Sequence, residues 1–200
     1  MKESDRNSRK RGDVLTESIY EATEQLIKEV GYVNLTFQQI AQAAKTSRTV
    51  LYRRWATTFD LIDDLMKDRW TMTLDGDLID KIVDTGSLRG DLLLLLRLYQ
   101  RVYIEVGPSI MNAILFELSQ NNERVDKVKI RAEGKNIRVM KKILELAQIR
   151  GEKVKEVSDM TLTLPFGLIR MRYILGGDEI TEEQLEQIVD EVLLPVFKAE

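Results

Sequence analysis

The sequence predicts an all-α fold, and three observations carry that reading. Apolar residues recur at three- and four-residue spacing, no stretch shows the period-two alternation of a strand, and the apolar segments are separated by short Gly, Asn and Asp turns with only three prolines, Pro108, Pro165 and Pro195. At 200 residues, 44% hydrophobic and 32% charged, the chain is long enough to bury a sizeable core in one or two domains. About nine helices are expected, three of them in an N-terminal helix-turn-helix unit and the rest in a larger C-terminal domain.

Leu15, Ile19, Ala22, Leu26 and Val30 step along one face and predict a first helix over about 13–30, with Gly31 as its left-handed stop. Thr36-Phe37-Gln38-Gln39 has capping-box spacing and opens a short helix to about Ala44. Ser47 caps a third helix carrying Val50, Leu51 and Trp55 inward, so two short helices joined by about three residues form a helix-turn-helix plan. Thr57 or Thr58 caps a fourth, striped by Leu61, Ile62, Leu65 and Met66.

Farther on the helices lengthen. Ser87–Val106 is apolar nearly all round, as for a helix surrounded by others, and Gly107-Pro108 breaks it. A shorter helix over Ser109–Leu118 follows, then a turn at Asn121-Asn122 and a long amphipathic helix of about 122–149 stopped by Gly151. Leu162, Phe166, Ile169 and Tyr173 mark the next helix, which Pro165 should bend and Gly176-Gly177 end. Thr181-Glu182-Glu183-Gln184 is a second capping box, opening a last helix with Leu185, Ile188, Val189, Val192, Leu193 and Val196.

Charge narrows the function. Lys and Arg number 30 against 33 Asp and Glu, and the net charge of −3 provides no bulk attraction to nucleic acid or an anionic membrane. The distribution is uneven: residues 1–55 hold ten cations and seven acids, a balance of +3, which leaves −6 for the remainder. No Asp or Glu occurs from Val30 through Phe59, so a surface built from this stretch can approach phosphates without repulsion. With no His and no Cys, the sequence excludes disulfides, thiol nucleophiles, His or Cys metal sites and the Ser-His-Asp triad. No phosphate-cradling glycine loop is present, and the spaced carboxylates Asp60, Asp63, Asp64 and Asp68 read as a solvated acidic face. No enzyme activity, metal or cofactor is expected. The polar N-terminus has no apolar run behind it, and the longest apolar block, Leu92–Leu96, falls far short of a membrane span, so a cytoplasmic protein is expected.

The segment Gly31-Tyr32 through Thr36-Phe37-Gln38-Gln39-Ile40-Ala41 to Ser47-Arg48-Thr49-Val50-Leu51-Tyr52-Arg53-Arg54-Trp55 resembles the DNA-binding domain of tetracycline-repressor-like (TetR/AcrR) transcriptional regulators. The match covers about residues 12–71. Arg6, Arg9, Lys10 and Arg11 form a basic arm over 1–11 that could follow the DNA backbone or enter the minor groove, with a solvated disordered tail as the competing reading. The resemblance implies a DNA-binding domain over 12–71 and an effector-binding and dimerisation domain over 72–200. It further implies a homodimer on a palindromic double-stranded operator, acting as a repressor released by a small-molecule effector. The family commonly has glycine where Lys45 stands, an apolar residue at Thr46, and Pro-Ser-Lys where this chain has Ala56-Thr57-Thr58. The turn must therefore reach its conformation by other means, and the phosphate contact of that lysine is lost or reduced to a hydroxyl.

Reading base edges requires a helix in the major groove with donors near its N-terminus. Thr36, Lys45, Thr46, Ser47, Arg48, Thr49, Tyr52 and Arg53 are the DNA-binding candidates. Arg48 is placed to take a guanine edge, Tyr52 and Arg53 to hold phosphates, and Thr36 to present the amide end of the second helix. Ile40, Leu51 and Trp55 read as core. For the effector, Trp70, Tyr99, Tyr103, Met111, Phe116, Met140, Phe166, Arg170 and Tyr173 offer aromatic, adaptable or charged surface, although plain core explains the apolar ones as well. Arg170 and Arg172 interrupt an apolar helix; an anionic effector, an interface salt bridge or solvent would each account for them. The dimer candidates are Leu162, Thr163, Phe166, Gly167, Leu185, Ile188, Val189 and Val192, with burial inside one chain as the competing reading. A helical adaptor that binds a protein partner remains the alternative function.

Overall fold

In the computed structural model the described residues are 3–120, 123–176 and 179–199, without the side chains of 3–11, 124 and 174–176. The elements run α1 (Glu3–Val30), a 3₁₀ turn (Tyr32–Asn34), α2 (Phe37–Ala43), α3 (Arg48–Arg54), α4 (Thr58–Leu74), α5 (Leu78–Lys81), α6 (Leu88–Val106), α7 (Pro108–Ser119), α8 (Glu123–Ile149), α9 (Asp159–Leu162), α10 (Leu164–Gly176), α11 (Glu182–Gln187), a π-helical stretch (Ile188–Leu193) and α12 (Leu194–Phe197). Among the described residues no strand forms; a single bridge pairs Val154 with Lys198.

The protein is all-α, and its helix ends follow local chemistry. Both capping boxes form, at Thr36 with Gln39 and at Thr181 with Gln184. Ser47, Ser87 and Ser158 each accept a backbone N–H at the start of α3, α6 and α9. The structure departs from expectation in four places. The first helix begins at Glu3 and takes in the backbone of the expected basic arm, whose side chains at Arg6, Arg9, Lys10 and Arg11 lie outside the described residues. A one-turn helix, Leu78–Lys81, interrupts the link before α6. Pro165 does not bend a longer helix: Thr163 ends α9 and Pro165 sits in the first turn of α10, where its missing N–H costs no intrahelical bond. The last helix is continuous but widens into a π turn at Ile188–Leu193. The expected turn at Asn121-Asn122 lies outside the described residues.

Two compact units result. One contains the chain to Lys67 together with Ser109–Glu117; the other contains Asp68–Pro108 and the chain from Leu118. The first buries Ile19, Ile27, Ile40, Leu51, Trp55, Leu61, Ile62 and Leu65, so α1, α2, α3 and α4 share one core. In that unit the Tyr32 hydroxyl donates to Glu117 Oε1, and its ring meets Phe116 edge-on with centroids 5.8 Å apart. Burial, with Glu117 beside it, holds the Tyr32 phenol well above its ordinary value. The second unit is built around α6, of which Leu88, Leu92, Leu95, Leu96 and Val102 are buried, against Val139, Met140 and Ile143 of α8 and Phe166 and Ile169 of α10.

Candidate nucleic-acid interface

The first unit presents α2, a tight turn and α3. Its turn is a Schellman motif: the Lys45 N–H bonds the Gln42 carbonyl at 3.2 Å, and the Thr46 N–H reaches back to the Ala41 carbonyl at 2.9 Å. Lys45 has φ +50°, the left-handed conformation that glycine would enter at no steric cost. The turn therefore keeps its geometry without glycine, and the backbone strain falls on Lys45. Thr36 Oγ1 accepts the Gln39 N–H at 3.3 Å while Gln39 Oε1 accepts the Thr36 N–H at 2.8 Å. Ser47 Oγ accepts the Val50 N–H at 3.3 Å, fixing the start of α3.

Seven of the sequence-predicted residues, Thr36, Lys45, Ser47, Arg48, Thr49, Tyr52 and Arg53, are exposed, and Thr46 is half-buried. Among the described residues neither Lys45, Arg48 nor Arg53 pairs with an acid, so their charges face solvent uncompensated. Tyr52 is 61% exposed, yet its ring packs edge-on against Phe37 with centroids 4.9 Å apart. That contact ties α3 to α2 and holds the phenol outward. Arg54 behaves differently: it donates to Thr16 Oγ1 of α1 and lies 5.8 Å over the Trp55 ring, so it fastens the helix. Trp55 is buried with its indole N–H on Asp64 Oδ2 at 3.0 Å, and Ile40 and Leu51 are fully buried, as their spacing predicts. At Ala56-Thr57-Thr58, Thr57 caps α4: its Oγ1 accepts the Asp60 N–H at 3.2 Å, and its own N–H bonds Asp60 Oδ2 at 2.9 Å. Sequence reasoning did not single out Phe37, Thr16 or Asp64 as supports, because each meets its partner across a stretch of chain that carries no local signal.

The described surface is a two-helix motif with an acid-free, cation-bearing outer face and a locked inner one. Over residues 19–65 the chain matches the model of bacterial regulatory proteins of the tetR family, and over residues 82–192 that of the tetracyclin repressor-like C-terminal domain. The chain belongs to the TetR family of transcriptional regulators. An HTH-type transcriptional regulator of Mycobacterium tuberculosis is 30% identical over 179 residues, covering 86% of this chain and 83% of that protein. The DNA-binding transcriptional repressor TetR of Mycobacteroides abscessus is 22% identical, covering 94% and 96% of the two chains. The crystal structure of FadR from Bacillus subtilis in complex with stearoyl-CoA shares the fold, with a TM-score of 0.67 at 17% identity, covering 90% of this chain and 97% of that one. As a TetR-family protein the chain regulates transcription by binding DNA and is not an enzyme. Among the described residues no helix is long and apolar enough to cross a membrane.

The second unit holds seven of the nine effector candidates, six of them in one cluster. Tyr99 contacts Trp70, Tyr103 and Phe166 with centroids 5.4, 5.2 and 5.0 Å apart, and Tyr103 continues to Tyr173 at 5.2 Å. Arg170 reaches the Tyr103 and Tyr99 hydroxyls at 3.3 and 3.4 Å. Met140 is fully buried in the same unit. Met111 and Phe116 fall in the first unit, Met111 buried and Phe116 against Tyr32. Arg172 is exposed. Of the dimer candidates, Leu162, Phe166, Leu185 and Val189 are buried within the chain, whereas Gly167 and Val192 are exposed and Thr163 and Ile188 half-buried.

Proposed function

We propose that this regulator is a homodimeric, effector-responsive repressor. Two copies place α3 in successive major grooves of a palindromic operator, about one helical turn or 34 Å apart, and a small molecule bound by the second unit releases the DNA. The observation that carries this reading is the exposed, acid-free face of α2 and α3. Ser47, Arg48 and Thr49 sit at the amino end of α3, where base edges are read, and Arg48 suits guanine O6 and N7, a contact worth roughly 1 to 3 kcal/mol of discrimination. Thr36, Lys45, Thr46, Tyr52 and Arg53 flank it as phosphate contacts. Half-buried Thr163 at the end of α9, exposed Gly167 of α10, and half-buried Ile188 and exposed Val192 of the last helix are offered to the second copy, with the buried Leu162, Phe166, Leu185 and Val189 supporting that face from inside. Release follows only if the effector binds the DNA-free conformation more tightly than the DNA-bound one.

The test is anisotropy titration against a fragment from upstream of the protein's own gene, with random competitor and at several salt concentrations. The Arg48→Ala, Arg53→Ala double variant should lose about tenfold or more in specific affinity. Unchanged binding by that variant would sink the recognition helix, and a stoichiometry of one chain per site would sink the dimer.

A further inference from the structure

We infer that Arg170 is the anchor of a ligand site for an organic carboxylate with an apolar body, seated against Tyr99, Tyr103 and Tyr173. The inference rests on the effector reading above only for its consequence on DNA; the binding itself stands on the chemistry of this cluster. Arg170 projects from α10, is half-buried, and interrupts a helix face otherwise made of Phe166, Ile169 and Tyr173. A guanidinium withdrawn from water normally has a carboxylate partner, because desolvating an unpaired charge is costly. Here, among the described residues, its polar partners are two phenol oxygens at 3.3 and 3.4 Å, longer than a good N–H···O bond. Neutral phenols at that range do not compensate the charge. Other buried or part-buried arginines of this chain contrast with it: Arg150 binds Asp84 and Asp91 at 2.6 and 2.7 Å, and Arg69 binds Asp68 at 3.1 Å.

A second observation points to the same place. The Tyr173 hydroxyl, one turn beyond Arg170 on α10, is buried and among the described residues has no hydrogen-bond partner. An anion that accepts from the guanidinium fork can accept from this hydroxyl and from Tyr103 as well, which satisfies the orphaned donor and the unpaired charge together. The acid whose charge reaches Tyr173 is the exposed Glu179, which adds to burial in holding that phenol protonated. The neighbouring side chains decide between anions. One guanidinium and a few phenols are too few donors for a phosphate dianion, but they match two carboxylate oxygens, and the rings of Trp70, Tyr99 and Phe166 offer contact to an apolar or aromatic body. A cationic ligand would meet the Arg170 charge and is disfavoured.

The experiment is calorimetric titration of the full-length chain with 4-phenylbutyrate and decanoate, each paired with its alcohol, 4-phenylbutanol and decanol. The acids should bind about tenfold or more tighter than their alcohols, and Arg170→Gln should remove that preference while leaving alcohol binding unchanged. Tyr173→Phe should weaken the acids less than Arg170→Gln. Equal binding of acid and alcohol by the unaltered protein would overturn the proposal without recourse to any variant, and so would binding of neither acid. The operator assay is read separately: an acid that binds through Arg170 without releasing DNA leaves this site standing and removes effector release from the proposed function.

Discussion

Between α2 and α3 the chain turns on a lysine held at φ +50°, a conformation that disfavours any residue with a Cβ. The cost is borne because two backbone bonds, from Lys45 to Gln42 and from Thr46 to Ala41, close the end of α2 at once. Lys45→Gly should therefore stabilise the protein by roughly 1 kcal/mol, seen as a higher urea midpoint at unchanged m-value. The same change removes a cation from the DNA face, so operator affinity should fall and its salt slope shrink by about one. Stability and binding moving in opposite directions would show that the lysine is kept for the DNA. Gly31 is the converse case: at φ +76° and ψ 158° with open space around it, its substitution by Ala meets no clash, and the expected loss of roughly 1 kcal/mol is purely that of the backbone. Equal stability of Gly31→Ala and the unaltered protein would contradict it. At this scale much was legible. Thr36, Ser47 and Thr181 announce their caps by spacing alone, since a cap bonds within three residues.

Among the elements, α6 depends on a polar clasp at its amino end. Asp91 is fully buried; it accepts the Thr85 N–H and hydroxyl at 2.8 and 2.7 Å and pairs with Arg150 at 2.7 Å. Glu152, also held by Arg150, accepts the Leu88 N–H at 2.9 Å. The clasp thus joins the start of α6 to the segment after α8. Asp91→Ala takes one of three carboxylates from Arg150, which keeps Asp84 and Glu152, and leaves the Thr85 N–H without its acceptor, so it should cost about 2 kcal/mol in urea unfolding. Nothing in the sequence near Asp91 distinguishes it from a surface acid, because its partner lies 59 residues away. Helix α11 and the π-helical stretch after it are fastened differently, by exposed pairs from α6: Arg97 to Glu182, and Arg89 to Glu186 at 3.3 Å and to Asp190 at 2.7 Å. The hydrogen bonds from these arginines hold the Glu182 and Asp190 carboxylates below their ordinary values. A carboxyl lowered in the folded state contributes stability that is present above its unfolded value and lost as pH falls through the folded one. Amide protection in α11, taken as exchange relative to the intrinsic rate at each pH, should therefore fall as pH drops below the ordinary carboxylate range. That fall should flatten in an Arg89→Gln, Arg97→Gln double variant; an unchanged pH dependence of protection would mean the pairs do not hold the helix.

For the whole molecule the decisive question is which apolar surface stays uncovered in one chain. Val192 is 37% exposed on the last helix, while its neighbours Val189 and Leu193 are fully buried. If a second copy covers that face, Val192→Asp should shift the sedimenting species from twice the 23.1 kDa chain mass toward the single chain and weaken operator binding, with the thermal melt of the first unit unchanged. A variant that still sediments as a dimer would place the interface elsewhere.

By itself the sequence determined the all-α class, most helix starts and stops, the helix-turn-helix plan and the acid-free stretch from Val30 through Phe59, because caps, breakers, periodicity and charge act within a few residues. Periodicity also told which faces are apolar. It did not tell what covers them: Phe166, Leu185 and Val189 read as interface candidates with core as the competing reading, and packing buries all three within the chain. Tertiary structure likewise decided that Ser109–Glu117 joins the first unit through Tyr32 and that Arg170 meets tyrosines 67 and 71 residues away. The physical reason is the same in each case. Local signals state what a residue needs, whereas the partner that meets the need is chosen by the packing of helices distant in the chain.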